Sequence, residues 1–498
     1  MRNLKILLAT LMLNISFFGF CQYSFIPSTV PFKGVVGGDI QVGDLNDDNL
    51  PDILICGTDN SFQPVTLLYL NQGGGMFSPS PVQPFDAYSD GSIMLLDIDG
   101  DGDLDVSFYG SDVNEGAVLY MNNSSGGTVN FTQSSGFSSL SDQVFSASTA
   151  YADMDNDGII DIVYTGFSYL EGGTFIYFKK GLGGGIFDSE QKLKYLSNDL
   201  LDGVQGTLIL ADMDNDGDID IFVTGETGMN YTPLTKIYSN ILEEQGVFSF
   251  DETVVLPFSG LVSTEAAILD VDNDGDFDIL ISGEDGANMP QTTLYYNHGG
   301  FNFTTTKSND LENVMGGVMA YADIDGDGDI DIIVSGYTKD NNNNDTIVTV
   351  LHINDGTGYY SKITGPNVLF NGAGDGNLSM ADIDGDGDID IIVSGFDVFG
   401  STDALTTLYL NHTPQVSSVT SYDGSVWVIY PNPSDGIFTI HTAENMDNTP
   451  IEIYSTIGEL LYSTHVLGST AEINLENFPS GVYLVKLNNH ETTRIIKY

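Results

Sequence analysis

The stretch "ADIDGDGDIDIIVSG" occupies Ala322–Gly336 and returns letter for letter at Ala381–Gly395. Five aspartates fall within nine residues, and an apolar run follows at once. Carboxylates crowded this closely repel one another unless something neutralises them. The sequence nevertheless repeats the arrangement, so the search for a period comes before any local assignment.

Seven copies begin at Asp44, Asp97, Asp153, Asp212, Asp270, Asp323 and Asp382, spaced by 53, 56, 59, 58, 53 and 59 residues. Numbered from its first Asp, every copy has Asp at positions 1, 5 and 9 and Gly at position 14. Position 3 is Asp except for Asn46 in the first copy, and position 6 is Gly except for Asn49. Position 2 is always apolar. A second signature follows each motif: "LYLN", "LYMN", "IYFK", "IYSN", "LYYN", "LHIN" and again "LYLN". A Gly-rich turn usually comes next, then a segment that opens on an aromatic.

Short apolar runs bounded by Gly, Asn and Asp are strands and turns. No helical periodicity of useful length is present. Each repeat therefore reads as four strands: A before the Asp loop, B the "DIIVSG" run, C containing "LYLN", and D at the aromatic. Such units, repeated seven times, describe an all-β fold, a seven-bladed β-propeller. The seventh copy ends at Thr413 without a strand D. Residues Tyr23–Phe32, "YSFIPSTVPF", match the strand D segment Gly75–Phe85 and are expected to complete the last blade, tying the ring shut and removing an open edge.

Carboxylates at positions 1, 3, 5 and 9 of a tight loop can converge on one point. Crowded hard oxygens suit a hard cation of high coordination number, Ca²⁺. The candidate ligands are Asp44, Asn46, Asp48 and Asp52 in loop 1, and Asp97, Asp99, Asp101 and Asp105 in loop 2. Loop 3 offers Asp153, Asp155, Asp157 and Asp161, and loop 4 Asp212, Asp214, Asp216 and Asp220. Loop 5 offers Asp270, Asp272, Asp274 and Asp278, loop 6 Asp323, Asp325, Asp327 and Asp331, and loop 7 Asp382, Asp384, Asp386 and Asp390. Position 6 requires φ > 0, which Gly adopts freely and Asn tolerates. Position 7 varies among Asp, Ile and Leu, as a backbone-carbonyl ligand would allow. An EF-hand is excluded, since position 12 is apolar where that loop needs Glu. About seven structural Ca²⁺ are expected, with loop 1 the weakest because of Asn46 and Pro51.

The motif D-x-D-x-D-G-x-x-D, followed by an apolar strand and Gly, resembles the FG-GAP/VCBS repeat of integrin-α-type propellers over about residues 23–413. The resemblance implies loops that bind Ca²⁺ structurally and a ring that serves as a recognition platform.

The chain carries 70 acidic against 14 basic residues, a formal net charge of −56, over 498 residues that are 41% hydrophobic. It can bury a large core, and it lacks the Lys and Arg with which proteins hold nucleic acid phosphates. Arg2 and Lys5 precede the apolar stretch Ile6–Phe20, which reads as an export signal occupying residues 1–21. Cys21 raises a lipoprotein alternative, against which the bulky Phe20 before it argues. Past the signal Cys56 is the only cysteine, in the apolar run "DILICG", and reads as a buried thiol. No other stretch is long and apolar enough for a membrane helix.

The propeller is assigned to residues 22–413, a linker to 414–425 and a small β-sandwich to 426–498. The last of these, with Tyr430-Pro431-Asn432-Pro433, Gly436, Gly458, Pro479-Ser480-Gly481-Val482-Tyr483 and Lys497, is similar to the type A C-terminal sorting domain of the type IX secretion system. That resemblance implies passage across the outer membrane by the secretion machinery, with removal of the domain afterwards, and a secreted or surface location.

The function expected is a binding or adhesion module for an extracellular protein or glycan. Its ligand face is the rim opposite the Asp loops, where the B–C loops vary and carry Phe62, Tyr169, Tyr231, Tyr337 and Phe399. The alternatives are a propeller-based polysaccharide-degrading enzyme, or a structural surface component without a discrete ligand. Six histidines, few basic residues and no recognisable Ser/His/Asp or Cys/His set speak against the enzyme.

Overall fold

The computed structural model describes residues 23–413, apart from 79–80, 90, 111–116, 136–143, 243–247, 253–257, 259, 306–309, 341 and 366–367; beyond these it describes 427–430, 437–442, 449–455, 460–466, 470–475, 478, 481–487 and 492–497. The expected export signal and linker fall outside the described residues, as do Pro431–Pro433, Gly436, Gly458 and Pro479–Ser480. Residues 24–412 form one compact unit, and the residues described beyond 412 belong to a second.

The stretch Ala322–Gly336 runs into the centre of a four-stranded antiparallel sheet. Strand B, Asp331–Lys339, pairs with A, Met315–Ala322, and with C, Asp345–Asn354; Tyr360–Lys362 adds strand D at the edge. Ile332, Ile333 and Val334 are all fully buried, so both faces of strand B are covered. A continuous run of β-branched residues suits that environment, because neither face meets water. The same order recurs around blade-like sheets with strand B at Asp52–Asp59, Asp105–Gly110, Asp161–Ser168, Asp220–Thr227, Asp278–Glu284 and Asp390–Phe396. Among the described residues this gives seven sheets, two of which lack a full strand D. Around Asp52–Asp59 the A side is split into Val35–Val36 and Ile40–Gly43, and strand D is reduced to the bridges Leu68–Val82 and Asn71–Phe77. Around Asp278–Glu284 strand D is reduced to a bridge between Tyr296 and Thr304.

Neighbouring sheets share cores. Leu280, Leu294 and Tyr296 of the fifth sheet pack with Ile332, Val334 and Tyr360 of the sixth. Ile383, Ile392 and Leu408 of the last sheet pack with Ile53, Ile55 and Leu67 of the first, so the stack returns on itself. Phe25–Pro27 pairs antiparallel with Ala404–Asn411, with Phe25 opposite Asn411, and supplies the outer strand of the last sheet. Side chains lock the same seam. The buried Asp39 carboxylate accepts from Asn377 Nδ2 at 2.6 Å and from the Ile93 amide at 2.8 Å, joining the seventh, first and second sheets. On another side Asn60 exchanges two hydrogen bonds with the backbone of Ala404, at 3.1 and 2.7 Å. The fold is a β-propeller, and Cys56 is fully buried within it.

Position 14 of the repeat is Gly for a steric reason. At Gly336 a Cβ would lie 2.8 Å from Gly317 Cα and 3.1 Å from Val314 Cβ, because strand A bulges against strand B there.

The C-terminal unit is a small sandwich. Trp427–Tyr430, Ile437–Thr442 and Thr470–Asn474 form one sheet; Leu460–His465, Pro450–Ser455, Gly481–Leu487 and Thr492–Lys497 form the other. Phe438, Ile440 and Ile473 from the first sheet meet Ile451, Ile453, Val485 and Leu487 from the second in one buried core. Among the described residues no helix is long and apolar enough to cross a membrane.

Candidate metal centres: the aspartate loops

Each Asp loop joins strand A to strand B, and its shape is set by its own carboxylates. The position 1 carboxylate curls back over the turn: its Oδ2 accepts the position 6 amide in all seven loops, at 2.7–3.1 Å. The position 5 carboxylate accepts the position 7 amide at 2.9–3.0 Å in every loop. Position 9 is buried at the start of strand B. Its Oδ2 accepts the position 2 amide at 2.9–3.2 Å. Its Oδ1 accepts an amide from the end of strand C at 2.7–2.9 Å.

The turn needs two left-handed residues. Position 6 has positive φ in all seven loops, from 66° at Asn49 to 100° at Gly102. Position 4 does as well, at Asp47, Gly100, Asn156, Asn215, Asn273, Gly326 and Gly385, with φ between 56° and 80°. Only Asp, Asn and Gly stand there, the residues that tolerate this conformation. That restriction is present in the sequence and marks position 4 as clearly as position 6.

The geometry gathers carboxylate oxygens. Asp153, Asp155 and Asp161 bring one oxygen each to within 4.8 Å of one another; so do Asp212, Asp214 and Asp220, Asp270, Asp272 and Asp278, and Asp323, Asp325 and Asp331. In these loops the gathered positions are 1, 3 and 9, whereas in loop 2 they are 1, 3 and 5, Asp97, Asp99 and Asp101. The Oδ1 atoms of Asn46 and Asp155, both at position 3, are buried and accept no hydrogen bond from the described residues. Buried polar atoms without a partner are costly, and an all-oxygen, anionic donor set fits a hard cation. Burial, with neighbouring loop carboxylates adding to it, pushes the position 9 carboxyls up from the usual range. Asp105 and Asp161 rise to about 6, Asp52, Asp278 and Asp390 to about 7, and Asp220 and Asp331 to about 8.

Loops of adjacent sheets touch. Asn156 Nδ2 donates to Asp218 Oδ1 at 2.7 Å, Asn215 Nδ2 to Asp276 Oδ1 at 3.1 Å, and Asn273 Nδ2 to Asp329 Oδ1 at 2.7 Å. Each pair links position 4 of one loop to position 7 of the next. Position 7 is therefore not indifferent to its side chain in loops 4 to 6: its Asp is the neighbour's acceptor.

The second signature has a role that the sequence reading left open. Its Asn spans two sheets. Asn71 Nδ2 donates to the Ile383 carbonyl at 2.8 Å, Asn240 to Met154 at 3.0 Å and Asn354 to Val271 at 2.8 Å. Asn297 and Asn411 make the same bond to Met213 and Ile324 at 3.3 Å. Every acceptor is position 2 of the preceding loop, so these five asparagines tie their sheets to the Asp loop of a neighbour, whereas Asn122 of the second sheet donates to the Leu104 carbonyl of its own loop at 3.0 Å. The third copy departs from the expected pattern. Ile162, which follows position 9, pairs with Lys179, whereas the corresponding Ile53 pairs with Tyr69. The segment that aligns with "LYLN" is thus Phe178–Gly181, two residues beyond "IYFK", and Gly181 stands in the Asn place.

At the opposite ends of the B strands lie the B–C loops. Phe62 is 78% exposed, Tyr169 64%, Tyr231 62% and Phe399 57%. Tyr337 differs from expectation: it is part-buried and packs edge-on against Phe399 at 6.0 Å.

An antiparallel propeller whose A–B loops carry the D-x-D-x-D pattern defines a class of repeat protein, and sequence comparison identifies which. Residues 44–108, 97–164, 270–334 and 323–393 match the FG-GAP-like repeat, and residues 428–498 match the secretion system C-terminal sorting domain. The chain is an FG-GAP-repeat β-propeller protein with a C-terminal sorting domain, exported through type IX secretion to the cell surface or the medium. Loop 4 lies outside the matched spans yet makes the same bonds as the others. No curated protein matches the chain. Among solved structures, an AofleA variant from Arthrobotrys oligospora is similar at 11% identity, covering 69% of this chain and 90% of that one with a TM-score of 0.37. The Tc holotoxin pore of Photorhabdus luminescens is similar at 15% identity over 92% of this chain and 21% of the toxin chain, TM-score 0.39. PorZ of Porphyromonas gingivalis, a surface component of the type IX secretion system, is similar at 13% identity over 92% of this chain and 75% of its own, TM-score 0.21.

Proposed function

We propose that this is a calcium-stabilised, seven-bladed binding module that docks an extracellular protein or glycan on the rim formed by its B–C loops, after delivery by its sorting domain. The observation that carries this reading is the set of bare apolar tips on that rim. Phe62, Tyr169, Leu170, Met229, Tyr231 and Phe399 are each between 57% and 78% exposed at the B–C ends of the sheets. Large apolar side chains held out on loop tips of a rigid scaffold favour contact with a partner. Ca²⁺ in the Asp loops stiffens the scaffold from the far side and does not touch the ligand.

A glycan and surface-protein binding screen, run with the purified chain with and without Ca²⁺, tests the reading. Saturable binding that Phe62→Ala and Tyr231→Ala together weaken at least roughly tenfold, with an unchanged melting temperature, is the expected result. Binding that survives both substitutions would move the ligand elsewhere. An absence of saturable binding would favour a structural surface component.

A further inference from the structure

The seven Asp loops are not equivalent. In the sheet that follows loop 3, the end of strand C carries Lys179, Lys180 and Gly181 where other blades have Tyr or His, a non-basic residue and Asn. The residues that correspond to Lys180 are Leu70, Met121, Ser239, Tyr296, Ile353 and Leu410, none of them a cation. The Lys180 ammonium lies against Asp155 Oδ2 and 2.7 Å from Asp157 Oδ2, pairing with positions 3 and 5 of loop 3 at once. Its side chain is 34% exposed and that of Asp155 18%, so the pair is partly withdrawn from water.

We propose that loop 3 is closed by the Lys180 ammonium instead of a calcium ion, so that the chain supplies its own cation at one of its seven loops. The inference rests on the reading that the other loops hold Ca²⁺. A tethered ammonium with three N–H donors pairs with one oxygen of each of two carboxylates without the dehydration that a divalent ion undergoes. It also opposes that ion. With its positive charge already set between Asp155 and Asp157, an ion entering among Asp153, Asp155 and Asp161 would meet like charge at close range in a partly buried site. Two further features of the same blade agree. Position 7 of loop 3 is Ile159, whereas five of the other loops have Asp there. Gly181 lacks the Asn side chain that in five other blades clamps the neighbouring loop. The change at Lys180 is thus one of several that set this blade apart.

The test is calcium-edge anomalous diffraction from crystals of the full chain grown in Ca²⁺, together with the calcium content of Lys180→Met. Peaks within the other six loops and none among Asp153, Asp155 and Asp161 are expected. Lys180→Met is expected to bind one more Ca²⁺ per chain than the unmodified protein. A peak in loop 3 with Lys180 turned away overturns the inference and leaves the calcium reading intact, as does a Lys180→Met variant with unchanged calcium content. Should that variant fail to fold, the diffraction result on the unmodified chain decides alone. Peaks in no loop would overturn the calcium reading itself, and the distinction drawn for loop 3 with it.

Discussion

Asp331 and Asp39 illustrate two uses of a buried carboxylate. Both oxygens of Asp331 accept backbone amides, from Ile324 and Asn354, and so pin an Asp loop to its sheet while an oxygen stays near Asp323 and Asp325. Asp39 does its work away from the loops, at the seam where the ring closes. Burial pushes its carboxyl up to about 6. Near it, the half-buried Glu265 of the inner strand Val262–Leu269 is pushed up to about 8 by burial, with the Asp39 charge adding to the effect. A carboxyl raised in the folded state binds a proton that the unfolded chain has already released. Its contribution to stability is therefore complete in acid below its ordinary range and is lost as pH rises through about 8. Thermal melts of Glu265→Gln should match the unmodified protein at acidic pH and exceed it by about 2–4 °C in mild alkali. Equal melts at both ends would place Glu265 in contact with water.

At the scale of the element, the Asn at the end of strand C decides how blades adhere. Asn354 Nδ2 is buried on the Val271 carbonyl and its amide on Asp331, so one residue joins strand C, strand B and the previous loop. Replacing Asn354 with Ala should cost about 1–3 kcal/mol, since a buried carbonyl loses its donor. Chemical denaturation would measure it, and a loss below half a kcal/mol would reduce the clamp to an incidental contact. Much of the element pattern is legible in the letters. Strand B announces itself by runs such as Ile332–Val334, and position 6 of the loop by an alphabet of Gly and Asn. Asp at position 7 is legible only in part, because its partner is position 4 of a loop 62 residues away. The third blade misleads for a similar reason. "IYFK" looks like "LYLN" letter by letter, but strand register is fixed by which residues face which core, and that places Gly181 opposite the Asn of other blades. The rim aromatics show the same limit: Phe62 and Tyr337 are equally aromatic in sequence, and only packing separates the bare one from the one laid against Phe399.

Across the propeller, the seven Asp loops lie at one end of the B strands and the exposed tips of the B–C loops at the other. A surplus of 56 negative charges strains the compact state by self-repulsion, and Ca²⁺ in the loops, as proposed, would relieve it where it is densest. Each site held well above its dissociation constant adds to stability by mass action, about 2.7 kcal/mol at a hundredfold excess of ion. Chelation should accordingly lower the melting temperature by tens of degrees while the C-terminal sandwich, which has no Asp loop, is unaffected by it. The most direct test of the scaffold's dependence on metal is the calcium content of the purified chain by elemental analysis. About six tightly held Ca²⁺ per chain are predicted, one for each Asp loop other than the third. Two or fewer would contradict the account and leave the loops as acidic turns held by their own hydrogen bonds.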